Sequence, residues 1–219
     1  MITLEEKEKQ QQWLEESIVY VEKTVYDVVK RSLDVICSVL ALIVLSPVLL
    51  ITSIAIYIDD PGPVIFKQIR VGKNGTKFMI YKFRSMKVNA DAHKNELMNQ
   101  NQSEGVTFKI FNDPRRTRVG KFIRKTSIDE LPQLVNILIG DMSVIGPRPF
   151  IPEEQNQLPA DRLLVKPGLS CYWQIEGKNT LPIEKQIALD RKYIIERSLL
   201  VDLKIIFRTF AIIFKKENK

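Results

Sequence analysis

From Val35 to Ile58 the chain runs for 24 residues without a charge, VICSVLALIVLSPVLLITSIAIYI. As one continuous helix this run would reach roughly 36 Å at 1.5 Å per residue, enough to cross a hydrocarbon core of about 30 Å. It starts after 34 mostly polar residues and no small-residue cleavage site follows it, so it is not a signal peptide. At its midpoint stands Ser46-Pro47, with 11 apolar-run residues on either side. Pro47 has no N–H for the carbonyl of Ile43, and its ring presses on that turn; the Ser46 hydroxyl is placed to satisfy a freed carbonyl. A kinked spanning helix and a helix that bends and returns both fit this break. Flanking charge favours the second. Lys7, Lys9, Lys23, Lys30 and Arg31 precede the run, and Lys67, Arg70, Lys73, Lys77, Lys82, Arg84, Lys87 and Lys94 follow it. A spanning helix concentrates its basic residues on the cytoplasmic side, whereas here both flanks call for the same side. A re-entrant membrane helix over residues 27–60 is expected.

The rest reads as one globular region, with a length suited to a real core: 219 residues and 45% apolar. Asp59-Asp60-Pro61-Gly62-Pro63 stops the apolar run. Val64–Lys67 and Thr76–Phe83 predict a two-stranded ribbon around Gly72-Lys73-Asn74-Gly75. Residues 88–105 are polar and read as an exposed helix or mobile loop carrying the single histidine, His93, as a solvated side chain. One histidine excludes a multi-histidine metal site and makes a histidine-based triad improbable. Two cysteines, Cys37 and Cys171, are no disulfide framework and read as reduced and intracellular. The first 30 residues predict an amphipathic helix with Trp13, Leu14, Ile18 and Val21 on one side. Residues 189–214 predict a further helix, suited either to the core or to the headgroup plane.

The net charge of +7 (33 basic against 26 acidic residues) has a local origin. Residues 109–125 hold Lys109, Arg115, Arg116, Arg118, Lys121, Arg124 and Lys125 against Asp113 alone. A lipid-headgroup patch or a nucleic-acid surface are ordinary uses of such a run. Phe111 and Phe122 are its only aromatics, and it follows an apolar segment, so an anionic substrate at a membrane surface suits it better. Directly downstream, Ser127 and Glu130 have capping-box spacing, but Pro132 sits too deep for a helix opening there, which is therefore kinked or begins at the proline. Asp129 and Glu130 are a carboxylate pair beside cations, able to share Mg²⁺ while the basic residues hold phosphate. One of the two, ionised, could also attack phosphorus. Gly140-Asp141 ends the helix. In Gly146-Pro147-Arg148-Pro149 two prolines stiffen the backbone around one guanidinium, a fork suited to phosphate.

Taken in order, these motifs resemble the bacterial sugar transferases, the monotopic polyprenyl-phosphate phosphoglycosyl transferases. The resemblance runs from Lys30-Arg31 and Asp34 through Ser46-Pro47 and Asp60-Pro61-Gly62-Pro63 to Phe66-Lys67-Gln68, Arg70-Val71-Gly72 and Lys82-Phe83-Arg84-Ser85-Met86. It continues through Thr117-Arg118-Val119-Gly120, Arg124–Gln133, Gly140-Asp141-Met142-Ser143 and Gly146-Pro147-Arg148-Pro149, covering about residues 27–210. With no four-helix membrane domain ahead of it, the chain resembles the short form. The resemblance implies an α/β, mostly helical monotopic membrane protein: an amphipathic extension (1–26), the re-entrant hairpin (27–60), and a cytosol-facing catalytic region (61–219) with a small β-ribbon and interfacial amphipathic helices. It implies transfer of sugar-1-phosphate from a UDP-sugar to polyprenyl (undecaprenyl) phosphate with release of UMP, at the cytoplasmic face of the bacterial inner membrane, opening synthesis of a capsule, exopolysaccharide or other glycan. Asp129 would be the nucleophile that carries the phosphosugar. Glu130 would hold Mg²⁺ with it or manage the acceptor's proton. Arg124 and Arg148 match phosphate-binding arginines, with Lys82 and Arg84 as weaker candidates. Membrane lipids are implied partners and nucleic acid is not; a homo-oligomer is left open. Cys171 stands where relatives have glycine after Ser170, and Glu176-Gly177-Lys178 departs from their pattern, which bears on donor selection. The rival readings are a non-catalytic scaffold that binds anionic lipid or nucleic acid through its basic patch, and a glycosyltransferase that releases UDP.

Overall fold

The computed structural model describes residues 20–90, 110, 113–177 and 181–217, with side chains as far as residue 212. Most of the predicted N-terminal amphipathic helix, His93 with most of the 88–105 segment, and Lys178 lie outside the described residues. The apolar run forms two helices, α1 (Thr24–Val44) and α2 (Ser46–Asp59), bent by 61° where they meet. Pro47 sits in the first turn of α2, where its missing N–H costs nothing. The Ser46 hydroxyl donates to Ile43 O at 2.8 Å, the repair its position predicts. No single helix among the described residues is long and apolar enough to cross a membrane, but the bent pair together meets that test.

Burial on this pair is inverted. Ile36, Leu40, Ile43, Val44, Leu50, Ile51, Ile54 and Ile58 are exposed, while Asp34, Ser38 and Thr52 are buried. The inward polar groups bind the pair to the globular part at both ends. Near the start, Lys30 pairs with Asp202 at 2.8 Å, and Asp34 Oδ1 accepts from Val144 N at 2.9 Å. Arg31 donates to the carbonyls of Ile137 and Leu138 at 2.6 and 2.8 Å. At the far end Asp59 accepts from Val119 N and Asp60 from Val88 N.

After the stop at Asp60 the chain forms β1 (Ile65–Val71) and β2 (Lys77–Phe83), antiparallel from Ile65↔Phe83 to Val71↔Lys77. Their connection uses the left-handed region at Asn74 (φ 55°) and Gly75 (φ 77°), as the Asn-Gly signal predicts. Then follow α3 (Arg118–Thr126), a single 3₁₀ turn (Ile128–Glu130), α4 (Gln133–Ile139), β3 (Ser143–Ile145) and α5 (Pro152–Gln155). A second 3₁₀ segment (Ala160–Leu164) leads to β4 (Gly168–Ser170), parallel to β3, and to α6 (Tyr172–Glu176), α7 (Ile183–Glu196) and α8 (Leu199–Glu217). The described chain is thus mostly helical with two small two-stranded sheets.

Two expectations are corrected. The C-terminal region is two helices, because Arg197 leaves helical backbone and folds its buried guanidinium over the end of α7, donating to Ile194 O at 2.6 Å. A cation on those carbonyls is a favourable stop. Nor is there a capping box at Ser127, which is left-handed (φ 61°) and makes no side-chain cap; α4 starts at Pro132-Gln133, the second of the two outcomes its proline allowed. Ile80 of β2 packs with Leu134 and Ile137 of α4 and with Met142, against Leu42 and Leu45 of the bent pair. Ile56, Phe83 and Ile123 form a second cluster that ties α2, β2 and α3 together. Burying each such side chain contributes about 1.5–3 kcal/mol, so the regions that carry the candidate site residues are fastened directly to the bent pair.

Candidate active site

Asp129 and Glu130 occupy the 3₁₀ turn between α3 and α4. Asn136, fully buried on α4, fixes that turn against the ribbon. Its side-chain Nδ2 donates to Met79 O at 2.7 Å and its Oδ1 accepts from Tyr81 N at 3.0 Å. One amide thus satisfies the two β2 backbone groups that a neighbouring strand would have taken. The next residue after Tyr81 is Lys82, whose Nζ donates to Glu130 Oε1 at 2.8 Å. Arg148 approaches the same oxygen at 3.6 Å, its guanidinium 6.0 Å from the Trp173 ring centroid.

α3 brings the third cation. Thr117 caps this helix by accepting from Gly120 N at 2.9 Å. Gly120 lies so close to the Ser85 carbonyl that any Cβ there would collide with it. That approach lets Arg124 Nε donate to Ser85 Oγ at 2.9 Å and places its charge near Asp129.

The electrostatics follow from this crowding. Burial, and then the neighbouring Glu130, push the Asp129 carboxyl up to about 6, against the pull of Lys82, Arg124 and Arg148. Burial lowers Lys82, opposed first by Glu130. Arg124 is lowered by burial and then by Arg116. Asp129 is therefore a half-buried acid that is largely ionised at neutral pH, inside a field dominated by cations.

The structure brings Asp129, Glu130, Lys82, Arg124 and Arg148 together, but not Arg84. Arg84 follows the end of β2 and turns to the exit of α2, donating to Asp60 O and facing the Asp60 carboxylate at 3.5 Å. The cation that sequence reasoning missed is Arg70. Burial, and then its neighbour Arg148, push it down to about 10, with Glu154 and Glu130 opposing. The β-ribbon register carries the signal that could have found it. Alternation puts Phe66, Gln68 and Arg70 on the ribbon face that Phe78, Ile80 and Lys82 share.

For a divalent cation the protein offers this carboxylate pair; no group of three or more histidine, cysteine, aspartate or glutamate side chains stands ready among the described residues. Two carboxylates completed by substrate phosphate oxygens are an ordinary Mg²⁺ donor set. The raised Asp129 fits it, since a cation there would relieve the repulsion between the two acids.

Comparison with known proteins completes the description. The family model described as "Bacterial sugar transferase" matches residues 25–216. A Streptococcus agalactiae protein named "Galactosyl transferase CpsE" is 44% identical over 192 residues, 85% of this chain and 42% of that one. An Escherichia coli K12 protein named "UDP-glucose:undecaprenyl-phosphate glucose-1-phosphate transferase" is 41% identical over 191 residues, 82% of this chain and 39% of that one. "Exopolysaccharide production protein ExoY" of Sinorhizobium fredii is 40% identical over 187 residues, covering 82% and 83%. The chain thus spans about two fifths of the first two relatives and most of the third.

Proposed function

The chain belongs to the bacterial sugar transferases, and we propose that it moves sugar-1-phosphate from a UDP-sugar to polyprenyl phosphate, releasing UMP, as the first membrane step in making a capsule, exopolysaccharide or other glycan. The observation that carries this reading is the acid pair Asp129–Glu130 set among Lys82, Arg124 and Arg148. A carboxylate oxygen of Asp129 attacks the sugar-bearing phosphorus. The bond from that phosphorus to the bridging oxygen breaks, and UMP leaves with the electron pair. A phosphate oxygen of the lipid then attacks the same phosphorus and Asp129 departs as carboxylate. Each step spreads negative charge over phosphoryl oxygens, which Arg124 and Arg148 are placed to balance. Lys82 holds Glu130 beside the nucleophile. Mg²⁺, held by Asp129 and Glu130, would neutralise diphosphate charge.

The bent helix pair supplies the lipid's route. Its outward residues are apolar and both of its ends bind the same globular body, so we place it in one leaflet, with the carboxylate pair at headgroup depth on the cytoplasmic face of the inner membrane. Helices of 21 and 14 residues bent by 61° put the apex on the order of 13 Å below a line joining their ends, which is less than half the hydrocarbon thickness. Nucleotide analysis tests the reaction. With UDP-sugar, Mg²⁺ and polyprenyl phosphate, UMP should form and Asp129→Asn should abolish it while membrane association persists. UDP as product, or metal-independent binding without turnover, would overturn the reading.

A further inference from the structure

The arginine between two prolines is only as well aimed as the backbone beneath it, and the four carbonyls from Pro147 to Phe150 are each held. Pro147 O accepts from Gly168 N at 2.9 Å, Pro149 O from Arg70 Nη1 at 3.2 Å, and Phe150 O from Val71 N at 2.9 Å. The carbonyl of Arg148 itself accepts from Arg162 Nη2 at 3.0 Å. Arg162 is the one of these donors that is itself fixed by a buried charge. Its Nε and Nη2 bond Asp190 Oδ2 at 3.2 and 2.6 Å, Nη1 bonds Gln155 Oε1 at 2.9 Å, and the guanidinium carbon lies 4.4 Å from the Phe150 ring centroid. The two charged side chains are 1% and 2% exposed.

A buried ion pair is a poor source of stability, since desolvation cancels most of its attraction. This one joins the 3₁₀ segment Ala160–Leu164 to α7, away from the acid pair, yet Arg162 Nη2 also donates to the carbonyl of the residue that reaches Glu130. We propose that Arg162, locked by Asp190 and Gln155, is a positioning residue: it fixes the Arg148 carbonyl and so aims the Arg148 guanidinium at the reacting phosphate. The proposal rests on the reading of Arg148 as part of the active site. Lysine in place of Arg162 keeps the charge but cannot hold Asp190, Gln155 and the carbonyl at once, because its ammonium is a point donor rather than a planar fork.

The test is kinetic and compares wild type with four variants in detergent or nanodiscs, with thermal melts alongside. R162K should lower kcat by about ten- to a hundred-fold, the cost of misplacing a reacting group by the order of an ångström, with KM for the UDP-sugar within about twofold. The apolar pair R162M/D190L removes both buried charges at little cost; it should stay folded, melting below wild type only because Gln155 Oε1 and the Arg148 carbonyl lose their donor, and should show the same fall in kcat. Added to R148A, R162K should cause no further loss. Full activity in R162M/D190L, or additive losses in R148A/R162K, would overturn the positioning role and leave Arg162 as a structural brace. Wild-type activity in R148A would instead refute the active-site reading beneath it.

Discussion

Asp129 is the residue on which chemistry and stability pull apart. Its folded carboxyl is raised to about 6 from an ordinary 3.8, so the folded state holds its proton more tightly than the unfolded chain. Stability from this group is therefore fully present below about pH 4 and is lost as pH rises through about 6. Asp129→Asn removes that loss, and at pH 7.5 the variant should melt a few degrees above wild type while turning over no substrate; a lower melting temperature would contradict the burial argument. The same ionisation should appear in single-turnover release of UMP, with the rate rising through an inflection near pH 6 in low-metal buffer. A rate flat between pH 5 and 7.5 would speak against Asp129 as the attacking group. At this scale the sequence was informative where residues adjoin. Asp129-Glu130 and the Pro-Arg-Pro turn were legible because neighbours in the chain are neighbours in space. Arg84 misled because its two-residue offset from Lys82 says nothing of the turn away at the end of β2; Arg70 is legible only once the ribbon register is set, and Arg162 went unread because only tertiary contacts bring it to Arg148.

Among the elements, α4 and the bent pair carry the most testable claims. Asn136 on α4 takes the place of a strand on the edge of β2. Asn136→Ala takes the partner from Met79 O and Tyr81 N, both part-buried, at a cost of about 1–3 kcal/mol in all. The variant should unfold at markedly lower denaturant and lose activity through displacement of Lys82 from Glu130. Unchanged stability would show that α4 docks through its apolar side chains alone. For the bent pair, single cysteines placed at residues 23 and 61 in a cysteine-free background should both react with an impermeant reagent from the cytoplasmic side. Pro47→Leu restores a continuous helical ladder, and straightening should shift residue 61 to the far side or abolish insertion. Opposite accessibility in the unaltered sequence would refute the one-leaflet geometry. The Ser46-Pro47 break and the ribbon turn were foreseeable because proline, serine and Asn-Gly act locally. The helix stop at Arg197 was not, since the periodicity of residues 189–214 continues through it and only the folded position of the guanidinium reveals the end.

At the scale of the molecule, one cationic centre is fastened on one side to an apolar bent pair and on the other to a core of Ile145, Tyr172, Trp173, Tyr193 and Ile205. The ends of the pair share bonds with α3, α4, α8 and β3, so the placement of the pair and that of the carboxylates are coupled through these contacts. The donor sugar is a separate matter, and relatives of similar identity carry names that point to galactose or to glucose. The most direct measurement is intact-protein and peptide mass spectrometry after incubation with a UDP-sugar and Mg²⁺ in the absence of polyprenyl phosphate. A sugar-phosphate adduct on the peptide that contains Asp129, lost on adding the lipid and absent in Asp129→Asn, is the predicted result. UMP production with no adduct at any time, or an adduct that survives in Asp129→Asn, would contradict the covalent role of this carboxylate.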